Sequence, residues 1–536
     1  MAAVAATTIG WTPERSVAGK RNPWTIIAVI SIATFMVVLD SSIANVALGH
    51  IAGSLSASYD EATWIITSFL IANAVIIPIS GWLADIVGRK RYYMISVALF
   101  TISSVVCGVA PNLTVLIIAR VLQGLGGGGL APVEQSMTVD TFPPHKRGLA
   151  FAAYGMVVIG GPILGPTIGG WITDNLSWHW IFLINVPIGL LSMLLGGLYV
   201  KEPPAVEKSR KLLLGRGLNV DFMGFALVAL FFSCLEVTLD RGQREDWFSS
   251  PMITTFAIVT ALALVVLIPW ELSRKDPIVR IRLLGSRNFL ISNIFMLLMG
   301  VILLGSTQFI PQLLQEVLGY TATNAGLALS LGGLATLVAM PASGFLTTKI
   351  DPRYLIAFAL VIQGIAFWDM STLDTQMAFR DASMIRMIQS IGLPFLFVPI
   401  ASVAYIGIRP EDNNQASALM NISGNLGGTL GISFVQTMLA RRSQYHQAQY
   451  AETLNPMNPN YAIGLHHLTN ALTNSRLPQS EAAKAALATL YHSLQQQANM
   501  LSYIDVFHIL NWVVVATIPL VIFIRKPKRF GMGDVH

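Results

Sequence analysis

The sequence predicts an all-α membrane protein with many spanning helices, on three observations. The 536 residues are 54% hydrophobic and only 12% charged, whereas soluble proteins average about 25% charged residues. Apolar stretches of about 20 residues, the length that spans a bilayer, recur along the whole chain. The basic residues behind the net charge of +6 fall in short runs between these stretches. This distribution predicts membrane topology rather than nucleic-acid binding.

The apolar stretches predict fourteen spans with both termini in the cytoplasm. The spans are expected near residues 24–46, 62–82, 92–110, 114–135, 148–171, 179–200, 221–240, 252–271, 289–314, 325–346, 354–371, 383–407, 414–439 and 504–524. With the N-terminus inside, Lys and Arg are roughly threefold more frequent in the cytoplasmic segments than outside. The first stretch is too long for a cleavable signal peptide, so we expect it to remain as the first span.

A repeat at about half the chain length predicts two similar bundles. "GWLADIVGRKRY" (81–92) follows the second span and "GFLTTKIDPRYL" (344–355) follows the tenth, each with Gly-x-Leu before a basic turn. Two six-helix pseudo-repeats with two inserted helices form the architecture of an alternating-access transporter. The expected parts are a cytoplasmic tail (1–23), a first bundle (24–200), inserted helices (219–272), a second bundle (288–525) with a long periplasmic loop (440–502), and a cytoplasmic tail (526–536).

Several motifs, in order, resemble those of the major facilitator superfamily. Residues 81–92 are similar to its loop signature, "LIIARVLQGLGGG" (116–128) to its fourth-span motif, and "GMVVIGGPILGPTIGGWI" (155–172) to a fifth-span motif of antiporters. "VVLDSSIANVAL" (37–48), "WHWIFLINVPIG" (178–189) and "LDRGQREDWF" (239–248) resemble the fourteen-span drug:proton antiporters, in particular the EmrB-type efflux permeases. The resemblance implies the major facilitator fold.

Two opposite charges lie within predicted spans. A charge in hydrocarbon costs at least about 2.5 kcal/mol, so both should face the bundle interior. Asp40 lies about 24 Å along the outward-running first span, and Arg120 lies roughly 9 Å from the outer end of the inward-running fourth. We hypothesise that they face each other at similar depth and are coupled through the proton. A fixed ion pair between two helices is the alternative.

Glu134 and Glu236 are further candidates for proton coupling. Glu134 is on the same face of the fourth span as Arg120, on the order of 21 Å further inward. It could carry a proton or attract cationic drugs, or it could be a helix-end residue wetted by the cytoplasm. Glu236 lies in the seventh span, one of the inserted pair, and these inserted spans could lie outside the translocating core.

The loop signature predicts a gate at the cytoplasmic end of the second span. The residues concerned are Gly81, Asp85, Gly88, Arg89 and Lys90. A carboxylate there can accept hydrogen bonds from a neighbouring helix. We expect a latch that forms when the cavity opens outward, although the basic residues could serve topology alone. Thr348 stands where the first-half motif has Asp85, so the gating role of this carboxylate is expected only in the first half.

Glycines at every fourth position predict close packing of the fifth span. Gly161, Gly165 and Gly169 form one stripe with Pro162 beside it, and membrane helices pack through small residues. The resemblance implies that this span limits leak in antiporters. The glycine run at 124–129 lacks the Lys-Ser/Thr of a phosphate-binding loop and is also expected to serve packing.

Drug cavities are mostly apolar and aromatic with a few polar groups. Candidates for such a wall are Trp64, Asn73, Phe309, Gln312 and Gln389, for which core or lipid packing is the alternative. In the long outer loop, "SEAAKAALATLYHSLQQQ" (480–497) predicts an amphipathic helix with Ser480 as its N-cap. This segment could cap the outer mouth, dock a periplasmic partner, or be a solvated loop.

Together these features predict proton-coupled efflux of hydrophobic or amphiphilic drugs across the bacterial inner membrane. The resemblance implies two partners, a periplasmic membrane-fusion adaptor and an outer-membrane channel. We expect no cofactor beyond the proton motive force, no metal and no nucleic acid. The alternatives are an uptake symporter of a small organic solute and, from another class, a membrane enzyme or non-transporting sensor. The sequence lacks G-x-S-x-G and H-E-x-x-H, so an enzyme is not expected.

Overall fold

A computed structural model describes residues 22–202, 207, 210, 221–274, 276–375, 377–454, 457–474 and 478–524. Within these ranges all the regular structure is helical, as the sequence predicts. The predicted cytoplasmic tails, 1–23 and 526–536, lie outside the described residues, apart from Asn22 and Pro23 at the end of the first.

The described part of the first half contains eight α-helices. They are α1 (Pro23–Ser54), α2 (Tyr59–Val87), α3 (Arg89–Gly108), α4 (Leu113–Gly127), α5 (Leu130–Thr141), α6 (Arg147–Asn175), α7 (His179–Leu183) and α8 (Asn185–Tyr199). Polar residues satisfy the free amides where helices begin. The Asn22 side chain accepts from the Trp24 amide at 3.0 Å, and Ser58 and Glu61 form a capping box at the start of α2.

Two predicted spans are each divided between two helices. The predicted fourth span is interrupted at Gly128–Gly129, between α4 and α5, and the sixth at Ile184, between α7 and α8. A Cβ on Gly129 would overlap the Tyr92 hydroxyl, and one on Gly126 would lie 2.7 Å from the Phe100 nitrogen. The glycine run therefore allows the fourth span to lie directly on α3.

The inserted pair and the second half follow. The inserted helices are α9 (Phe222–Arg241) and α10 (Pro251–Ser273); the second half contains α11 (Arg287–Gln312), α12 (Ala322–Lys349), α13 (Pro352–Met370), α14 (Phe379–Ala404), α15 (Asn413–Thr453), α16 (Pro459–Asn474) and α17 (Gln479–Thr517). Helix α9 packs against both α2 and α15, so it touches both halves. Helix α10 packs mainly on α9 and leaves most of its apolar side chains exposed, as a lipid-facing helix does.

Thirteen helical segments of the described chain are long and apolar enough to cross a membrane, one fewer than predicted. The remaining predicted span, 414–439, lies within α15, which is helical but too polar to qualify. Helix α15 packs against α11, α17, α2 and α5. Many of its polar side chains, including Asn413, Asn414 and Ser417, are buried against these helices, which explains why its composition departs from that of a lipid-facing span.

The described part of the predicted outer segment 440–502 is mostly helical. Helix α15 continues to Thr453, α16 lies between, and α17 runs without interruption from Gln479 into the last span. The segment 480–497 is helical as predicted, but the helix starts at Gln479 and its N-cap is Pro478 instead of Ser480. We call the described parts of α15 from residue 440, α16 and α17 to residue 502 the helical hairpin.

The two halves meet along two seams. One seam is α2 and α5 against α15, and the other is α6 against α12 and α14. The largest apolar cluster runs through the second half and includes Ile77, Val139 and Phe151 of the first half. The halves thus share a continuous core next to both seams.

Candidate functional site

A buried polar cluster surrounds Asp40 in the middle of the first half. The Arg120 guanidinium donates through Nη1 to Asp40 Oδ2 at 2.5 Å, and both side chains are about 1% exposed. Gln123 Nε2 and Asn185 Nδ2 donate to the other oxygen, Oδ1, at 2.9 and 2.7 Å. The acid of α1 and the arginine of α4, which the sequence places at similar depth, are therefore in contact.

The arginine is held from several sides. Its Nε donates to the Ile65 carbonyl of α2 at 3.1 Å, and its Nη1 also donates to Gln123 Oε1 at 2.7 Å. The guanidinium carbon lies 4.2 Å from the centre of the Phe69 ring, within the range of a cation–π interaction. Because arginine is not deprotonated in proteins, Arg120 keeps a fixed positive charge beside Asp40 throughout.

The glycine stripe of α6 holds α1 from its other side. A Cβ on Gly161 would lie 2.8 Å from Val38, one on Gly165 would overlap Ser42, and one on Gly169 would lie 2.9 Å from Ile43. These contacts flank Asp40 along α1, so the glycines let α6 approach α1 closely on either side of this acid. Pro162 of the same motif is exposed.

Glu134 is fully buried, so it is not a residue wetted by the cytoplasm. Its Oε2 accepts from Thr34 Oγ1 at 2.7 Å, and the Tyr154 hydroxyl donates to the same Thr34 oxygen at 3.4 Å. Its Oε1 has no hydrogen-bond partner among the described residues. Glu134 therefore has hydroxyl neighbours, in contrast to Asp40 with its guanidinium.

Glu236 lies between the halves. It accepts from Thr429 Oγ1 of α15 at 3.3 Å, while Asp240, one turn further along α9, accepts from Thr67 of α2 at 2.7 Å. Arg241 donates to Thr63 Oγ1 at 3.1 Å. The inserted helix α9 is thus bonded to both halves and does not stand apart from the bundle.

The gate residues form a polar network at one end of the α2–α15 seam, the end predicted to face the cytoplasm. Asn414 Nδ2 of α15 donates to Asp85 Oδ1 at 2.5 Å, and Ser136 Oγ of α5 donates to Asn414 Oδ1 at 2.6 Å. Asn413 Nδ2 donates to Asp140 Oδ1 at 2.8 Å. Three hydrogen bonds therefore connect the first half to the first turn of α15.

The remaining gate residues support this network. Arg89 forms a buried ion pair with Asp140 and donates to the Pro410 carbonyl at 3.4 Å. Gly88 has φ of +96°, a conformation that favours glycine. A Cβ on Gly81 would lie 3.1 Å from the Asn414 carbonyl, so this glycine lets α2 approach α15.

Lys90 donates to the Gly197 carbonyl of α8 at 2.8 Å and so contacts its own half. In the second half, Thr348 is exposed and donates to the Phe345 carbonyl of its own helix. The polar connection between the halves is therefore built on the first-half motif.

The five cavity candidates are placed in different surroundings. Trp64 is half-buried with the Arg241 guanidinium 4.2 Å from its ring centre. Phe309 is buried in the core of the second half, and Gln389 is buried beside Arg386. The Gln312 amide donates to Glu316 on the next turn at 3.0 Å. Asn73 is half-buried on α2, with its backbone close to the glycines of α4.

Several residues of these networks were not predicted. They are Gln123, Asn185, Ser104 and Thr34 near the acids, and Ser136, Asp140, Asn413 and Asn414 at the gate. Gln123 could have been found because it lies three residues after Arg120, on the same helix face. Asn185 is a polar residue in an apolar stretch, but nothing in the local sequence shows that it points at Asp40.

Comparison with known proteins identifies the family. A model of the Major Facilitator Superfamily matches residues 30–432. The chain belongs to the major facilitator superfamily. Its fold is shared by the proton:xylose symporter XylE, with a TM-score of 0.59 at 15% identity over 94% of this chain and 96% of the other.

This facilitator is also similar to curated relatives over most of its length. Multidrug export protein EmrB of Haemophilus influenzae is 41% identical over 80% of this chain and 83% of its own. EmrB of Escherichia coli K12 is 37% identical over 94% and 95%, and fatty acid resistance protein FarB of Neisseria gonorrhoeae is 32% identical over 96% and 98%. The predicted resemblance to EmrB-type permeases is confirmed, and the chain is a multi-pass inner-membrane protein.

Proposed function

We propose that this facilitator exports hydrophobic or amphiphilic drugs across the bacterial inner membrane in exchange for protons. Relatives named as multidrug export proteins and as a fatty acid resistance protein support the proposal. The proton gradient supplies the energy, so transport needs no bound cofactor. No enzymatic step takes part.

The observation that carries the proposal is the set of donors around Asp40. Arg120, Gln123 and Asn185 all donate to this one buried carboxylate. An ionised carboxylate only accepts hydrogen bonds, whereas a protonated one must also donate. A proton that arrives on Asp40 removes the negative charge of the carboxylate and so weakens the charge-assisted hydrogen bonds that these three side chains donate to it. Protonation and the contacts of α1 with α4 and α8 are coupled for this reason.

The gate network distinguishes a state that is closed to the cytoplasm from one that is open to it in our proposal. Asp85 and Asp140 accept hydrogen bonds from the start of α15, and Ser136 donates one to it, so these contacts hold the halves together at the predicted cytoplasmic end. In our proposal this arrangement belongs to a state closed to the cytoplasm, and the network breaks when the cavity opens inward. Protonation of Asp40 favours the inward change, and proton release resets the cycle.

The other candidate residues have supporting roles in this cycle. Glu134 is a second proton carrier nearer the cytoplasm, beside Thr34 of the helix that carries Asp40. Glu236 takes part through its contact with Thr429, which joins the inserted helix to the second half. The glycine stripe of α6 keeps α1 tightly packed and so limits leak.

The orientation and partners are part of the same proposal. The distribution of Lys and Arg supports two cytoplasmic termini, and the helical hairpin then projects into the periplasm. A groove of about 460 Å³ along the hairpin is lined by Ala448, Leu454, Tyr461, Leu487 and Leu494. We place the membrane-fusion adaptor at this hairpin, with an outer-membrane channel beyond it, because the resemblance to EmrB-type permeases implies both.

Uptake by proton symport is the second candidate, because XylE shows that the same fold is used by a proton symporter. Purified protein in liposomes under an imposed proton gradient separates the two. Antiport moves a fluorescent lipophilic cation against the direction of proton flow, and symport moves it in the same direction. The export proposal is rejected if the cation travels with the proton, or if neither moves faster than in empty liposomes.

A further inference from the structure

The second half contains a counterpart of the Asp40 cluster. Ser306 on α11, Arg386 on α14 and Gln389 on α14 follow Asp40, Arg120 and Gln123 by the same number of residues along the chain. Each arginine is the eighth residue of its helix, since α4 begins at Leu113 and α14 at Phe379. The two arginines therefore lie at the same distance from the starts of their helices.

The hydrogen bonds of the two clusters also correspond. Arg386 Nη1 donates to Ser306 Oγ at 2.9 Å and to Gln389 Oε1 at 2.5 Å. In the first half, Arg120 Nη1 donates to the equivalent Asp40 and Gln123. The repeated geometry covers three side chains and two hydrogen bonds.

One chemical group differs between the clusters. Gln123 Nε2 donates to the Asp40 carboxylate, but the equivalent Gln389 Nε2 is a buried donor with no acceptor among the described residues. Ser306 has a single oxygen where Asp40 has two. In the first cluster the Asp40 carboxylate accepts from the glutamine. In the second cluster the corresponding Gln389 donor lacks such an acceptor within the described part of the chain, and the neighbouring Arg386 donates to the neutral hydroxyl of Ser306.

We propose that this second cluster binds the carboxylate of transported amphiphiles. One carboxylate oxygen accepts from Gln389 Nε2 and the other from Arg386 Nη1, as Asp40 accepts from Gln123 and Arg120. The proposal deepens the proposed export function and rests on it, because it gives a substrate class to the second half. In this proposal Asp40 of the first half binds and releases the proton, and the cluster in the second half binds the carboxylate of the substrate.

The physical basis is the low dielectric around the cluster. Ser306, Arg386 and Gln389 are 2%, 5% and 0% exposed, and hydrogen bonds between charged groups strengthen when water is excluded. Gly332 of α12 lies against this arginine, where a Cβ would come within 2.9 Å of Arg386 Cγ. A carboxylate reaches the cluster when α12 and α14 separate during the cycle, and its apolar chain then lies in the cavity between the halves.

The test installs an internal carboxylate in the second half. Ser306→Asp should satisfy Gln389 from within the protein, as Asp40 satisfies Gln123, and should exclude the substrate's carboxylate. Ser306→Asn is the matched control, because it has the same shape without the charge. Binding of radiolabelled dodecanoate and of dodecanamide, its neutral analogue, is measured on purified protein in neutral detergent. Proton-driven transport of a lipophilic cation is measured on the same variants.

We expect Ser306→Asp to weaken dodecanoate binding by about tenfold or more, the effect of losing a hydrogen bond to a charged group. Dodecanamide binding should change by less than about twofold, and Ser306→Asn should retain more dodecanoate binding than Ser306→Asp. An equal loss for acid and amide would show a packing role and overturn the proposal, as would unchanged dodecanoate binding. Competition by acetate at the dodecanoate concentration would assign the cluster to small anions and also overturn it.

The same experiment separates this inference from the function on which it rests. If wild-type protein moves no cation under a proton gradient, the export function fails whatever dodecanoate does. If the cation moves and Ser306→Asp leaves dodecanoate binding intact, export stands and the carboxylate site is rejected. Gln389→Leu provides an independent variant, since it removes the amide donor while adding no charge, and it should also weaken dodecanoate more than dodecanamide.

Discussion

The two halves of this facilitator have similar helices but differ in where they carry acids. In the first half, Asp40 accepts from Arg120 inside the bundle and Asp85 accepts from Asn414 at the gate. At the corresponding places the second half has Ser306, which accepts from Arg386, and Thr348, which bonds to its own helix. At these two corresponding places, therefore, only the first half has an acid, and the second half has a hydroxyl instead.

The two seams differ in the same way. The α2–α15 seam is joined by hydrogen bonds between polar side chains such as Asp85, Asn414 and Ser136. The α6–α12 seam depends on small residues, since a Cβ on Gly344 would lie 2.6 Å from Ala152 and one on Gly148 would lie 3.0 Å from Thr347. A polar seam can be switched by a change of charge, whereas a small-residue seam mainly sets how closely two helices approach.

The largest expected effect comes from removing the first-half acid. Asp40→Asn keeps the shape of the side chain but removes the proton site, so proton-driven drug transport should fall by at least about tenfold. Drug binding should remain, because Asp40 is buried within the first half and away from the substrate in our proposal. Transport is measured in inside-out vesicles with a protonophore control, and binding on purified protein.

Ser306→Asn, at the equivalent position, is the matched control and should retain proton-driven cation transport. A fixed ion pair predicts a different result for Asp40→Asn, namely loss of folded protein together with binding. Full transport by the Asp40→Asn variant would remove the acid from the mechanism.

The second effect tests the packing that positions α1. Gly165→Ala places a methyl group against Ser42 and should destabilise the folded protein by about 1–3 kcal/mol, the cost of overpacking. Gly170→Ala is the control, because a Cβ there has nothing within 4 Å and alanine favours the helix. Thermal unfolding of the two variants in detergent measures the difference. Equal midpoints would mean that the stripe does not limit the approach of α6 to α1.

The third effect breaks the polar seam. Asp85→Asn replaces a charge-assisted hydrogen bond from Asn414 with a neutral contact that is weaker by about 1 kcal/mol. We expect the inner ends of α2 and α15 to spend more time apart and transport to fall severalfold. Distances between spin labels on the two helices report the change. Thr348→Asn is the control and should leave the α2–α15 distances and transport as in wild type. If Thr348→Asn changed these distances as much as Asp85→Asn, the two seams would not be distinct.

The smallest expected effect is at the inserted helix. Glu236→Gln preserves the hydrogen bond to Thr429 while removing the carboxylate, and we expect transport to change by about twofold or less. Glu134→Gln, inside the first half, should reduce transport more. The two variants are compared in the same vesicles by initial rates of cation efflux. If Glu236→Gln reduced transport more than Glu134→Gln, proton coupling would have to be assigned to the inserted helix α9.

Much of the site was predictable because a charged side chain within a membrane span is stable only when it faces the bundle interior or water. The pairing of Asp40 with Arg120 followed from their depth along two antiparallel spans and the cost of exposing a charge to lipid. The glycines were predictable from their spacing. Asn185, Asn414 and Ser136 were not, because amide and hydroxyl side chains are inexpensive enough in a span to face many directions.

The class of this protein, its approximate spans and the location of Asp40 and Asp85 in the first half could be read from the chain alone, because apolar length and buried charge act locally. Tertiary packing selected which helices meet. It placed α9 between the halves, packed the extensions of α15 and α17 against each other in the helical hairpin, and set Ser306 of α11 beside Arg386 of α14. Such contacts join residues distant in the chain, and no local pattern specifies them.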